Sequence, residues 1–355
     1  MAILAGLLNQ ADLYANRVTS IGISVVERAV AESVAEHNRQ LDALMNLFVT
    51  RRQDVQTRYL AAGATRLQPL DENGRARPIK PSGYFTLGFP IHDAGIAWGR
   101  NYRTSIKMTV GEVARIVAMM MDADSRWMRD HLLAALFFEN STTPWTFTDP
   151  QFGAISVYGL ANGDAQTFQL LSGADSASTD DHVKGSSTST LTEAVLQDIH
   201  DELVEHPENG PEIIAFIPTA SRATVEALTN FYPVADPNLT SGVAVTQFTA
   251  ALGVSVPGEL IGYCAGCKIV VWAGMPSDYV LGIAAGGEAP IALREEPEAE
   301  LQGFKKVADR NDHPWYEAQY LRVAGFGAWN RVGAIVYKTS ATTYSIPTGY
   351  GSPMP

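Results

Sequence analysis

Residues 62 to 107 constrain this chain more than any other part of it. Six glycines and four prolines stand between 62 and 103, with Tyr84, Phe85, Phe89, Trp98 and Tyr102 among them. Glycine costs a helix backbone entropy and proline removes a donor, so this density excludes a helix. It fits a long, twisted two-stranded excursion with turns at Asn73-Gly74 and near Asp93-Ala94-Gly95. Loops of such length are uncommon in compact domains unless they do something. Charge sets the segment apart too. Arg51 to Lys107 holds ten basic residues against four acids, whereas the whole chain has Lys+Arg 26, Asp+Glu 38 and a net charge of -12. A basic segment on an acidic remainder favours attraction between copies. Aromatics alternating with arginine suit an interface.

The rest of the composition narrows the class. With 355 residues, 46% hydrophobic and 18% charged, the chain is long enough for one large domain or two smaller ones and is neither disordered nor fibrous. Two cysteines exclude a disulfide scaffold. The acidic balance argues against a dedicated nucleic-acid binder, and no apolar run approaches the ~18 residues that span a bilayer. The opening MAILAGLLNQADLY lacks the basic start of a signal peptide. The expectation is a soluble, core-forming protein made inside the cell.

Periodicity supplies the elements. Val26, Val30, Val34, Leu41, Leu44, Phe48, Val55 and Tyr59 repeat at helical spacing, which predicts a helix from Ile23 to Leu60 or a helical hairpin broken near Thr50-Arg51-Arg52. Thr109 to Glu112 has capping-box spacing before a long apolar-striped helix, and Thr190 to Glu193 repeats the signal before Val195, Ile199 and Leu203. Residues 145 to 171 read as short strands, and Gly173 to Ser189 as a mobile loop. Glu212 to Pro218 is a buried strand, followed by a helix from Ser221 to Asn230. Further core strands are expected at IVVWAGMP, from Asp278 to Ala284 and from Gly333 to Lys338. The mixture is α+β.

Catalytic and metal motifs are weak. Cys264-Ala265-Gly266-Cys267 supplies half a zinc site without a second pair, and an apolar strand follows where a redox motif wants a helix. On a helix His200 and His206 point apart, so His200 to His206 reads as a solvated helix end. Gly325-Phe326-Gly327 begins like a dinucleotide fingerprint, but Asn330 replaces the third glycine, so a tight approach beside a strand is expected. Asp309, Asn311 and His313 lack the glycine of a calcium loop. Glu288 to Glu300 reads as an acidic surface run. Nothing assembles a nucleophile, a base and an oxyanion hole, so no enzyme, cofactor or metal site is expected.

A helical N-terminal stretch, a long glycine–proline–aromatic hairpin and a long capped helix come first, followed by a strand-rich remainder. Within this order stand TTPWTFTDPQFGAISVYGLANGDAQTF, LTEAVLQDIHDEL with EIIAFIPTASRATVEAL, MPSDYVLGIAAGGEAPIALREEPEAELQGF and HPWYEAQYLRVAGFGAWNRVGAIVY. These stretches and their order resemble the major capsid protein of tailed bacteriophages, the Hong Kong 97 fold. The resemblance covers nearly the whole chain but contains no motif as specific as a catalytic signature. It implies an N-terminal helical arm over 1–67 and an extended E-loop hairpin over 68–108. A P domain would span 109–214, with its spine helix at about 190–206. An A domain would span 215–321, and the chain would return to the P domain over 322–355.

The function implied is self-assembly into pentamers and hexamers of an icosahedral head around double-stranded DNA, as part of the virion, assembled in the host bacterial cytoplasm. The E-loop would lie on a neighbouring subunit, with Tyr84, Phe89, Trp98, Arg100, Tyr102 and Arg103 as contact residues. Implied partners are further copies of the chain, a separate scaffolding protein, a portal, a decoration protein and packaged DNA held by non-specific contact, with no membrane. Lys80, Lys107 and Asn330 match by residue type alone the groups that some relatives cross-link, and noncovalent interlocking is the expectation. An encapsulin-type nanocompartment shell shares the fold and is the alternative; an unrelated α+β enzyme is a further rival, and a tail or baseplate structural protein would show more β repeats than this chain does.

Overall fold

The computed structural model describes residues 16–60, 67, 69–76, 84–101, 104, 107–139, 145–173, 176, 179–186, 188, 190–234, 257–310 and 315–351. Two compact units are built from interleaved stretches of chain. The first comprises 1–44, 91–130 and 294–325, and the second 45–90, 131–293 and 326–355.

In the first unit a short helix α1 (Val18–Ile21) precedes the long α2 (Ile23–Met45), which no proline or glycine interrupts. Val26, Val30 and Val34 fall on one face of α2 and bury against Val113, Val117 and Met120 of a second long helix, α3 (Val110–Phe137). Thr109 and Glu112 form the expected box at the start of α3. The Thr109 amide donates to Glu112 Oε2 at 2.9 Å, and the Glu112 amide to Thr109 Oγ1 at 3.3 Å.

The sequence predicted helix beyond Met45, but the chain turns there into strand β1 (Val49–Arg52) and then β2 (Gln56–Leu60), both in the second unit. Phe48 explains the change. It is 1% exposed and stacks near Phe216 and Trp272, at 5.4 and 5.9 Å between centroids, while its carbonyl accepts from Ile291. A tertiary anchor overrides a local helical period.

Downstream, β3 (Tyr84–Gly88) is followed by β4 (His92–Asn101). Asp93-Ala94-Gly95 is therefore strand rather than turn. It sits in a ten-residue antiparallel ladder from His92↔Ala324 to Asn101↔Trp315, whose partner is β15 (Trp315–Ala328). The continuous ladder of β15 satisfies backbone groups that a turn would leave open. β14 (Lys305–Arg310) pairs on β15 as well.

The second unit is organised on a mixed seven-stranded sheet. Between β3 and that sheet come the hairpin strands β5 (Trp145–Asp149) and β6 (Gly153–Val157). The sheet order is β7 (Val183–Gly185), β16 (Ala334–Lys338), β12 (Tyr279–Ala285), β8 (Glu212–Ile217), β11 (Cys267–Val271), β10 (Glu259–Cys264) and β9 (Tyr232–Pro233). β13 (Ile291–Arg294) lies outside this order.

Helix α4 (Glu193–Val204) packs on one face of the sheet. Val195, Leu196, Ile199 and Leu203 meet Ile213, Ala215, Ile217, Ile269, Val280 and Ile335. Each fully buried Leu or Ile side chain of this kind contributes about 1.5–3 kcal/mol. The approach is close, because a Cβ on Gly282 would stand 2.4 Å from Ile199 Cγ2. Thr192 rather than Thr190 is the N-cap, so the second expected capping box does not form. After β8 a 3₁₀ turn leads into a short α5 (Arg222–Glu226), half the length expected.

One expectation needs correction here. Part of the segment read as a mobile loop is edge strand β7, parallel to β16, with His182 before it fully buried. α4, β8 and β16 share one hydrophobic core, and residues 294–325 belong with the first unit.

Candidate functional site

The excursion read from the sequence has its base in the second unit. β2 and β3 pair antiparallel from Gln56↔Gly88 to Leu60↔Tyr84, so the connecting chain, 61–83, leaves from one edge. The base is anchored by Leu87 and Phe89, both 0% exposed, which pack with Ala161, Phe168, Ala292 and Val332. In the connecting segment, Asp71 Oδ1 accepts from the amides of Asn73 (2.9 Å) and Arg75 (2.7 Å), which makes the turn expected at Asn73-Gly74. Residues 67 and 69–76 are all exposed, Leu67 fully and Leu70 at 62%. These two exposed leucines lie in a segment whose proline and glycine deny it a regular helix.

The described members of the six predicted contact residues lie on different elements. Phe89 is spent inside its own subunit; it is wholly buried, with its ring 6.3 Å from Trp329, and so has no surface to offer a neighbour. Tyr84 begins β3, and Arg100 lies on β4 opposite Tyr316. Tyr102 and Arg103 lie outside the described residues. Trp98, on β4 opposite Ala318, is half-buried and lines a cleft of about 850 Å³ in the first unit. Val26, Val30, Val34, Phe304 and Tyr320 form the cleft's apolar wall, with Glu27, Lys306 and Asp309 among its polar residues.

The remaining motifs resolve into structure. Cys264 and Cys267 face each other across the β10–β11 hairpin, and Ala265 (φ 49) and Gly266 (φ 79) form its two-residue turn. The CxxC spacing is thus that of a hairpin. Both thiols are free and buried, and burial pushes Cys267 up to about 12, far from a reactive thiolate. Gly327 makes the expected tight approach, since a Cβ there would lie 3.0 Å from the Gly88 carbonyl oxygen. Asp309 is paired with Lys306 at 2.6 Å, while Asn311 and His313 lie outside the described residues. Asn330 is buried and donates to Asn209 Oδ1 and the Glu288 carbonyl. Lys107 is exposed, and Lys80 lies outside the described residues. The acidic run is exposed at Glu288 and Glu298 to Glu300 but buried from Ile291 to Glu295.

His206 is not a solvated helix end. It is 1% exposed, beyond the last turn of α4, against His182. Burial pushes the His182 imidazole down to about 3, which keeps it neutral. Among the described residues no helix is long and apolar enough to cross a membrane.

No family model matches the chain, and no curated protein matches it in sequence. Solved structures do. A structure of Mycobacterium phage Patience superposes with a TM-score of 0.68 at 21% identity, covering 98% of each chain. The capsid of an empty GTA particle gives 0.49 at 10% identity over 85% of this chain and 90% of that one. The capsid of Ralstonia phage GP4 gives 0.46 at 12% identity over 84% and 88%. The Mycobacterium phage structure shares its fold with this chain from end to end. The chain has the α+β Hong Kong 97-type fold that its sequence resembles.

Proposed function

We propose that this chain is the major capsid protein of a tailed bacteriophage, building the icosahedral head from pentamers and hexamers. One observation carries the reading: a Hong Kong 97-type fold accounts for the whole chain, with 98% of it superposing on a phage structure. The excursion between β2 and β3 supports it. An exposed segment with uncovered leucines is unfavourable on an isolated subunit and favourable where a neighbouring copy covers it. Trp98 and the apolar cleft beside it offer a second surface for such a copy.

The net charge of -12 suits a container whose wall must not hold packaged DNA tightly. In this reading the described start of the chain is the arm, 61–83 the E-loop, and copies of the chain the principal partner. Scaffolding, portal and decoration proteins, with double-stranded DNA, complete the assembly in the host cytoplasm and virion.

The test is negative-stain electron microscopy of the purified protein, with size exclusion on the same sample and with scaffolding protein supplied. Closed shells or rings of five and six subunits are expected. A discrete small oligomer that persists under both conditions overturns the reading. Shells whose native particles hold protein cargo and no DNA would assign the chain to nanocompartments instead.

A further inference from the structure

We propose that Asp180, His182 and His206 form a structural binding site for one divalent transition-metal ion of the zinc type, inside the subunit. The three come from different places. Asp180 and His182 lie just before β7, and His206 lies beyond the C-terminal end of α4. Their ligand atoms converge. His182 Nε2 is 3.3 Å from His206 Nε2, Asp180 Oδ1 is 3.8 Å from His182 Nε2, and Asp180 Oδ2 is 3.7 Å from His206 Nε2.

The protons decide what this cluster can hold. His182 Nδ1 lies 3.0 Å from the Ala334 carbonyl oxygen, and His206 Nδ1 lies 3.1 Å from that of Gln169. A carbonyl only accepts, so each Nδ1 carries a proton toward its carbonyl and each Nε2 is turned inward. Two ring nitrogens and a carboxylate therefore face one another around a single point. Asp180 Oδ2 makes no hydrogen bond among the described residues, although its side chain is 4% exposed. The imidazoles are 0% and 1% exposed, so bulk solvent does not reach them.

A cation at the centre resolves it. Two nitrogens at about 2.0–2.1 Å from a tetrahedral zinc stand about 3.3–3.4 Å apart, which is the separation found here. The Nδ1–H to carbonyl bonds are the outer-shell contacts that orient metal-bound histidines. Mixed nitrogen and oxygen donors select zinc-like ions over magnesium and calcium, which take oxygen. Glu205, with Oε1 3.8 Å from His206 Nε2 and its side chain half exposed, supplies the fourth ligand or leaves that place to water. Glu202 is already engaged by Lys184 at 2.6 Å. The ion would tie the segment before β7 to the end of α4, fixing the edge of the sheet.

The test is independent of shell assembly. The full chain, stripped with EDTA, is titrated with zinc chloride and with cobalt(II) chloride, following bound metal, thermal midpoint and visible absorption. We expect one ion per chain, a raised midpoint, and the ligand-field bands of a tetrahedral nitrogen–oxygen cobalt site; magnesium and calcium should produce none of these. Loss of an outer-shell partner alone costs about 10–100-fold in metal affinity, so His206→Gln and Asp180→Asn should each weaken binding at least that much. Absence of saturable one-to-one binding by the wild-type chain overturns the site, and this holds whether or not the variants fold. Undiminished binding in a folded His206→Gln variant, which would place the ion elsewhere, overturns it as well.

Discussion

The Arg322 guanidinium binds both oxygens of the Asp124 carboxylate, with Nε 2.8 Å from Oδ1 and Nη2 on Oδ2, and both side chains are at most 3% exposed. His37 Nε2 reaches Asp124 Oδ2 at 2.8 Å, and Arg322 also donates to Asn38 Oδ1. Asn38 in turn exchanges two hydrogen bonds with the backbone of Phe304. This network joins α2, α3 and β15 within the first unit.

Breaking one side of it should be costly. Asp124→Asn leaves the Arg322 charge buried without its partner, a change that costs about 3–5 kcal/mol. Burial raises the Asp124 pKa, but hydrogen bonds from Arg322 and His37 outweigh it and hold the carboxyl below its usual range. A depressed carboxylate stabilises the fold above its unfolded value, about 3.9, and loses that contribution as pH falls through the folded value. The Tm difference between wild type and Asp124→Asn should therefore be full at neutral pH and shrink below about pH 4. A difference that is constant with pH would show that the ionised carboxylate is not what stabilises the unit.

Replacing residues 61–83 with an Asn-Gly turn should leave a folded subunit and abolish shells. Leu60 and Tyr84 already face each other across the ladder, so a two-residue turn can close it. A longer deletion through β4 would remove core strands and test folding rather than assembly. Normal shells from the short deletion would show that the excursion is not an assembly contact.

Cys264 and Cys267 should react slowly with thiol reagents in the native protein at pH 8 and fully after denaturation. Cys267 is 0% exposed and its thiol is pushed up to about 12 by burial, so almost no thiolate is present. Rapid native labelling of both residues would contradict this.

Gly282→Ala should lower the thermal midpoint by several degrees. The added methyl would meet Ile199 Cγ2 at 2.4 Å and Ile335 Cγ2 at 2.9 Å, and overpacking of this kind costs about 1–3 kcal/mol. An unchanged midpoint in calorimetry would mean that α4 can lift from the sheet at little cost.

The sequence by itself determined the elements whose signals are local. The apolar stripe of α2, the Thr109–Glu112 cap of α3, the β-branched run of β8 and the turn at Asn73-Gly74 are set by short-range propensity and spacing, and each is found where those rules place it. Only the tertiary structure decided the rest, because pairing and burial are non-local. Helical spacing through Val55 and Tyr59 gave way to strand once Phe48 was anchored between Phe216 and Trp272. Asp93 to Gly95 read as a turn until β15 supplied a ladder, and Phe89 read as an exposed aromatic until a core closed over it. His206 looked solvated on its own helix. Its actual neighbour, His182, is 24 residues earlier, and no spacing rule connects them. Sheet formation brings them together by burying both segments in the same unit, where polar groups must find partners within the fold.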